Sequence, residues 1–204
     1  MYPKSIQSLI HAFMKLPSVG PRTAERFVFH LLRSGKKEVA ELTLALKNLM
    51  ETVKSCEVCW DFSDQSPCMI CRDTHRDART IAVVALSHDV QAIERVKSYR
   101  GRYHVLRGVI HPDDEDSIHT LKIRELFDRV EQEDINEVIL AFNPDMDGET
   151  TMMFLEKKLH MQKPTLKISR LARGLPMGSD IRYADDITLE SALKHRTSSG
   201  DKIV

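Results

Sequence analysis

Ile81-Ala82-Val83-Val84-Ala85-Leu86 is an unbroken apolar run within a chain of 204 residues. It is too short for a helix and rich in β-branched side chains, so it reads as a strand buried on both faces. Toward the C-terminus the pattern alternates. Val90 to Val96 has helical spacing, Tyr103 to Leu106 reads as a strand, and Leu121 to Val130 as a helix. Glu137 to Phe142 is a strand entering a polar loop, Thr151 to Leu159 a helix, and Thr165 to Leu171 a further strand. Strands separated by helices imply a parallel sheet covered on both faces, because parallel neighbours need a crossover connection. The last thirty residues, with Gly174, Pro176 and Gly178, read as a loop-rich tail with one short helix, Leu189 to Lys194.

Toward the N-terminus the chain reads as helix alone. Ile6, Leu9, Ile10, Phe13 and Met14 share one helical face. Leu16-Pro17-Ser18-Val19-Gly20-Pro21 breaks it with two prolines and a glycine. A second helix carries Ala24, Phe27, Val28, Leu31 and Leu32 up to Ser34-Gly35. A third, from about Glu38 to Val53, is expected to bury Leu42, Leu46, Leu49 and Met50. The fold class is therefore multi-part α/β: a helical segment 1–53, a cysteine loop 54–75, a parallel-sheet domain 79–174 and a tail 175–204 expected to serve oligomerisation.

A charged fraction of 29% and a hydrophobic fraction of 42% exclude a disordered or membrane-embedded chain. The amphipathic start, with Lys4 and Lys15, lacks the apolar core of a signal peptide, which points to the cytoplasm. Formal net charge is zero, but its distribution is uneven. Residues 1–50 hold eight Lys or Arg against three acids, and residues 113–150 hold thirteen acids against three Lys or Arg. A basic terminus can hold phosphates, and an acidic middle can take up a cation or meet a basic partner. Two solvated helical faces are the alternative.

All four cysteines lie in two identical pairs, Cys56-x2-Cys59 and Cys68-x2-Cys71. Each pair can present two sulfurs to one metal, and two pairs complete a tetrahedral shell with no position open to water. Such a shell is structural, and one zinc ion per chain is expected. Two disulfides or a redox pair are the alternatives; a reducing compartment disfavours the first and duplication the second. With little apolar content in the loop, zinc would supply folding energy on the order of 10 kcal/mol.

At the hairpin, the following helix offers unpaired backbone N–H groups, and Gly20 lets a phosphate approach. Arg22 and Arg26 lie one turn apart, opposite the apolar face, and Arg33 continues their stripe. Phe29 falls on the arginine side and reads as an exposed contact residue. The turn resembles the helix-hairpin-helix of sequence-independent DNA-binding proteins, with Ser18 in place of the first glycine of their usual Leu-Pro-Gly-Val/Ile-Gly hairpin. Solvated arginines on an ordinary helical hairpin are the alternative.

The segment Thr80 to about Arg173 resembles a Toprim domain, the magnesium-binding fold of topoisomerases, primases and some nucleases. In that resemblance the first strand should end in a glutamate, and here Ala85 stands. The later Asp-x-Asp reads Asn143-Pro144-Asp145, with Asp147 and Glu149 in the adjoining loop. A site so eroded is expected to bind magnesium weakly if at all, and to lack a general base.

The whole chain resembles the RecR family of recombination mediators. The resemblance rests on the order of its parts and on the runs Tyr99-Arg100-Gly101-Arg102-Tyr103-His104-Val105-Leu106, Asn143-Pro144, Gly148-Glu149 and Arg170-Leu171-Ala172-Arg173-Gly174-Leu175-Pro176-Met177-Gly178-Ser179-Asp180. Ala85-Leu86 departs from the acids usual there in the family. The resemblance implies a non-catalytic, nucleoid-associated DNA-binding protein of RecF-pathway repair. It would act with RecO and RecF to load recombinase on single strands, and assemble as a homotetrameric ring. Arg22, Arg26, Arg33 and Gly20 would meet DNA, while Asp145, Asp147 and Glu149 would meet a partner or a weak cation. The alternatives are a magnesium-dependent nuclease or primase-like enzyme, and a purely structural zinc protein.

Overall fold

A computed structural model describes residues 2–114 and 116–196. The chain divides into two compact units, one ending at Val53 and the other beginning at Lys54.

The first unit is three helices, α1 (Lys4–Phe13), α2 (Pro21–Ser34) and α3 (Lys36–Thr52). Pro21 occupies the first helical position of α2, and Gly35 at φ 89° ends it, so proline and glycine punctuate the helix as the sequence suggests. Helices α1 and α2 meet through the edge-on pair Phe13 with Phe27 at 5.6 Å, and Tyr2, just before α1, packs on Phe29 at 5.2 Å. Phe29 is thus half-buried on Tyr2 and not the exposed contact expected of it. Ala24 and Val28 are the buried residues of α2, and α1 and α3 bury none. Leu42, Leu46, Leu49 and Met50 are exposed, contrary to the expectation from spacing. Periodicity shows that a helix has an apolar face, but not that the same chain covers it.

In the second unit, β1 (Lys54–Ser55) pairs antiparallel with β2 (Phe62–Ser63), followed by α4 (Met69–Arg72). Then come β3 (Asp77–Val84), α5 (Ser87–Val96), β4 (Gly101–Val105), α6 (Ser117–Thr120), α7 (Ile123–Gln132), β5 (Glu137–Ala141), α8 (Met146–Gln162), β6 (Lys167–Arg170) and α9 (Asp186–Lys194). The strands pair in parallel in the order β4-β3-β5-β6. The run that begins at Ile81 is a central strand. Its alternate side chains enter two cores: Ile81 and Val83 join Leu126, Leu155 and Leu159 of α7 and α8, while Ala82 and Val84 join Val90 of α5 and Tyr103. Each fully buried leucine contributes roughly 1.5–3 kcal/mol.

Helix α8 begins five residues earlier than the apolar spacing suggests. Asp145 accepts a hydrogen bond from the Gly148 N–H at 2.8 Å and caps a polar first turn. Gly148 sits against the Asn143 carbonyl, where a Cβ would come within 2.0 Å of that oxygen. Asp147 and Glu149 therefore stand on a helix and not in a loop. In the tail, Asp185 caps α9 by accepting from the Thr188 N–H at 2.8 Å and the Thr188 hydroxyl at 2.7 Å, so it has a structural task. Residues 197–204 of the tail expected to serve oligomerisation lie outside the described residues.

Candidate metal centre and nucleic-acid interface

Cys56 and Cys59 lie in the turn after β1, where the Trp60 N–H donates to the Cys56 carbonyl at 2.9 Å. Cys68 precedes α4 and Cys71 lies in it. All four are buried, and their sulfurs lie within 4.8 Å of one another. The Cys59 and Cys68 sulfurs are 3.6 Å apart. That is far from the roughly 2.05 Å of a disulfide. It is close to the roughly 3.8 Å separating thiolates that share one tetrahedral zinc at about 2.3 Å.

Electrostatics argue the same way. Contact with the Cys59 sulfur, and next that of Cys71, holds the Cys68 thiol below its ordinary value, while contact with Cys68 pushes the Cys59 thiol up. Four sulfurs this close cannot ionise together without a cation among them. The residues fit one structural zinc ion per chain, held by Cys56, Cys59, Cys68 and Cys71. Zinc would cross-link the two halves of the loop, and the Cys68 N–H already donates to the Cys56 sulfur at 3.2 Å.

The loop is fastened to the sheet edge by residues that spacing alone does not reveal. The Val105 N–H of β4 donates to the Cys59 carbonyl at 2.8 Å. Arg107 donates to the Trp60 carbonyl at 3.1 Å and to the Ser55 hydroxyl at 2.6 Å, with its guanidinium 4.5 Å from the Phe62 ring centre. Trp60 and Arg107 both hold positive φ, 63° and 70°, conformations no sequence pattern flags in these residue types. Lys122 stands over the Trp60 ring at 4.2 Å.

The Tyr99–Leu106 run builds the interior of this edge. Tyr103 donates to Glu94 at 2.6 Å, and Arg76 grips the same carboxylate at 2.6 and 2.9 Å, holding Glu94 below the usual carboxylate range. Gly101 is required by close approach, since a Cβ would meet the Tyr99 hydroxyl at 2.3 Å and the Thr80 carbonyl at 2.7 Å. His104 is fully buried, with Nε2 2.7 Å from the Lys122 carbonyl. Burial lowers it to about 4.

In the hairpin, Ser18 has φ 63°, the left-handed region, which explains why a glycine suits this position. Gly20 is the N-cap of α2 in extended backbone, with open space where a Cβ would lie and no side-chain cap. The unit itself makes no use of the room at Gly20. Arg22, Arg26 and Arg33 are exposed, and none has a carboxylate partner among the described residues. Glu25 beside them receives the Tyr2 hydroxyl instead.

The three acids after β5 do not converge. Asp145 caps α8, Asp147 lies 2.8 Å from His111 Nδ1, and Glu149 pairs with Arg170 at 3.1 Å and with Arg173. Ala85 follows β3 and packs into the core with no carboxylate to offer. Among the described residues, the cysteine set is the group of His, Cys, Asp or Glu whose ligand atoms come together.

Helical hairpin, four-thiolate centre and parallel four-stranded sheet define a zinc-bearing protein of mixed α/β class. The parts match known families in chain order: the RecR helix-hairpin-helix over residues 6–50, the RecR four-cysteine zinc finger domain over 53–73, the Toprim domain over 79–172 and the RecR C-terminal segment over 174–197. The chain is 45% identical over 192 residues to the Recombination protein RecR of Anaeromyxobacter dehalogenans (strain 2CP-C), a match covering 94% of this chain and 96% of the relative. The chain belongs to the RecR family.

Proposed function

We propose that this protein is a non-catalytic mediator of recombinational DNA repair that grips sugar-phosphate backbone without reading sequence. The observation that carries this reading is the open end of α2: Arg22 and Arg26 exposed without carboxylate partners among the described residues, beside an N-terminus with no side-chain cap and open space at Gly20. Exposed cations and free N–H groups at a helix N-terminus attract phosphate and carry no base information. Arg33 extends the same stripe. RecO and RecF are the partners, and loading of recombinase on single strands in the RecF pathway is the task. The protein works in the cytoplasm, at the nucleoid; among the described residues no helix is long and apolar enough to cross a membrane.

Asp145, Asp147 and Glu149 recruit rather than react. Each is committed to a cap, a hydrogen bond or an ion pair, and Ala85 supplies no general base. The exposed apolar face of α3, with Leu42, Leu46, Leu49 and Met50, supports assembly of several copies, because a three-helix unit with two buried side chains in α2 has little core of its own. A tetrameric ring is the assembly proposed, with its basic hairpins facing the DNA.

Two measurements test the reading. Molar mass in solution, with and without a short duplex across a salt series, should show an oligomer that takes up DNA at low salt and releases it at high salt. Incubation of labelled DNA with magnesium or manganese should leave it intact. Cleavage abolished by Asp145→Ala would replace the mediator with a Toprim enzyme.

A further inference from the structure

The last turn of α5 and the loop from it to β4 form a second cationic surface. Residues 95–102 contain four Lys or Arg and no Asp or Glu. Arg95, Lys97 and Arg100 are exposed, and none has a carboxylate partner among the described residues. Other arginines of the same unit are paired: Arg76 with Glu94, Arg79 with Asp134, Arg129 with Glu133 and Arg170 with Glu156. The neighbouring acids are already taken. Glu94 is bound by Arg76 and Tyr103, and Asp77 accepts from the Thr80 hydroxyl at 2.6 Å and the Arg79 N–H at 2.9 Å.

The backbone here is fixed, and in one place strained. Lys97 caps α5 at φ 59°, where glycine or asparagine would sit without cost. The chain then reverses. Tyr99 donates to the Arg102 carbonyl at 2.8 Å and the Asp77 N–H donates to the Arg100 carbonyl at 2.8 Å, which locks the loop to the sheet. Cations at a helix C-terminus also complement its dipole. That accounts for Arg95 in the last turn and Lys97 at the cap, but not for Arg100 beyond them, nor for a lysine in a strained conformation. Strain of this kind clusters at functional sites, and Lys97, unlike Arg107, has no side-chain hydrogen bond among the described residues to account for it.

We propose that Arg95, Lys97 and Arg100 are a second contact for the phosphate backbone of a nucleic acid, separate from the hairpin arginines. A loop locked to the sheet, with three exposed cations that form no ion pair among the described residues, loses little on docking and gains by releasing counterions from phosphate.

The test uses the full chain, a labelled duplex and a labelled single strand, titrated across a salt series. Arg95→Gln with Lys97→Gln and Arg100→Gln should weaken binding about tenfold or more. It should also flatten the log–log salt dependence by about 0.9 per lost contact on duplex, or about 0.7 on single strand. Lys97→Gly alone should raise the melting temperature while weakening binding, a combination that unfolding cannot produce. Wild-type affinity and slope in both variants overturn the proposal, and would hand the surface to an acidic protein segment instead. The same measurements in the Arg22→Ala, Arg26→Ala background separate the two readings. Loss from the loop variants alone defeats the hairpin contact and keeps this one; loss from the hairpin pair alone does the reverse.

Discussion

The backbone N–H of Val105, on the outer edge of β4, donates to the carbonyl of Cys59 at 2.8 Å, so a metal-ligating residue closes the edge of the sheet. An uncovered edge strand invites pairing with other chains, and here the zinc loop covers it. Folding of that loop draws on metal binding worth on the order of 10 kcal/mol.

Zinc removal should therefore be felt in the sheet. Chelation, or Cys59→Ser, should unfold the loop, speed hydrogen exchange at the Val105 amide and promote aggregation. Exchange measured by mass spectrometry on holo and chelated protein checks this. Unchanged protection at Val105 would show that the edge is held without the loop.

His104 should make the second unit acid-sensitive. Burial lowers its pKa from 6.5 to about 4, so the unfolded chain binds the proton more readily than the folded one. Its contribution is full above about pH 6.5 and is lost as pH falls toward 4. It amounts to roughly 3 kcal/mol at most. Glu125 and Glu137, also lowered, act in the same direction only below the ordinary carboxylate value of 4.5. Urea unfolding of wild type and His104→Asn at pH 7.5 and pH 5 should show a smaller loss of stability in the variant.

Gly148→Ala should be strongly destabilising. The added methyl would stand 2.0 Å from the Asn143 carbonyl, backbone that cannot swing aside. A loss of about 2–4 kcal/mol is expected from such overpacking. Thermal unfolding reports it directly.

Ser18→Gly should act oppositely. At φ 63° serine bears a cost of about 1–2 kcal/mol that glycine avoids, offset in part by the greater entropy of glycine in the unfolded chain. A net gain of up to about 1 kcal/mol in the first unit is expected, read as a rise in its melting temperature. A fall would mean that the serine hydroxyl has a role in the turn.

Much of this architecture is legible in the sequence because its causes are local. The cysteine spacing states its own geometry, and runs such as Ile81–Val84 announce central strands by being apolar on both faces. What stays hidden depends on partners distant in the chain. The mostly polar stretch Met146 to Thr150 becomes helical because Asp145 caps it, and Leu42, Leu46, Leu49 and Met50 stay exposed because nothing else in the first unit packs over them among the described residues. Arg107 reaches back to Ser55 and Trp60, a contact that no periodicity carries. The zinc ligands could be read one by one, whereas the dispersal of Asp145, Asp147 and Glu149 into separate bonds could be seen only in three dimensions.

The phosphate grip proposed for this protein is Arg22 with Arg26. Its most direct test is the affinity of Arg22→Ala, Arg26→Ala for duplex DNA, measured from low to physiological salt on zinc-loaded protein of unchanged oligomeric state. A drop of about tenfold or more is expected, with a salt slope shallower by about 2, one unit for each lost phosphate contact. Affinity and slope equal to wild type would contradict it and place the DNA contact on another surface.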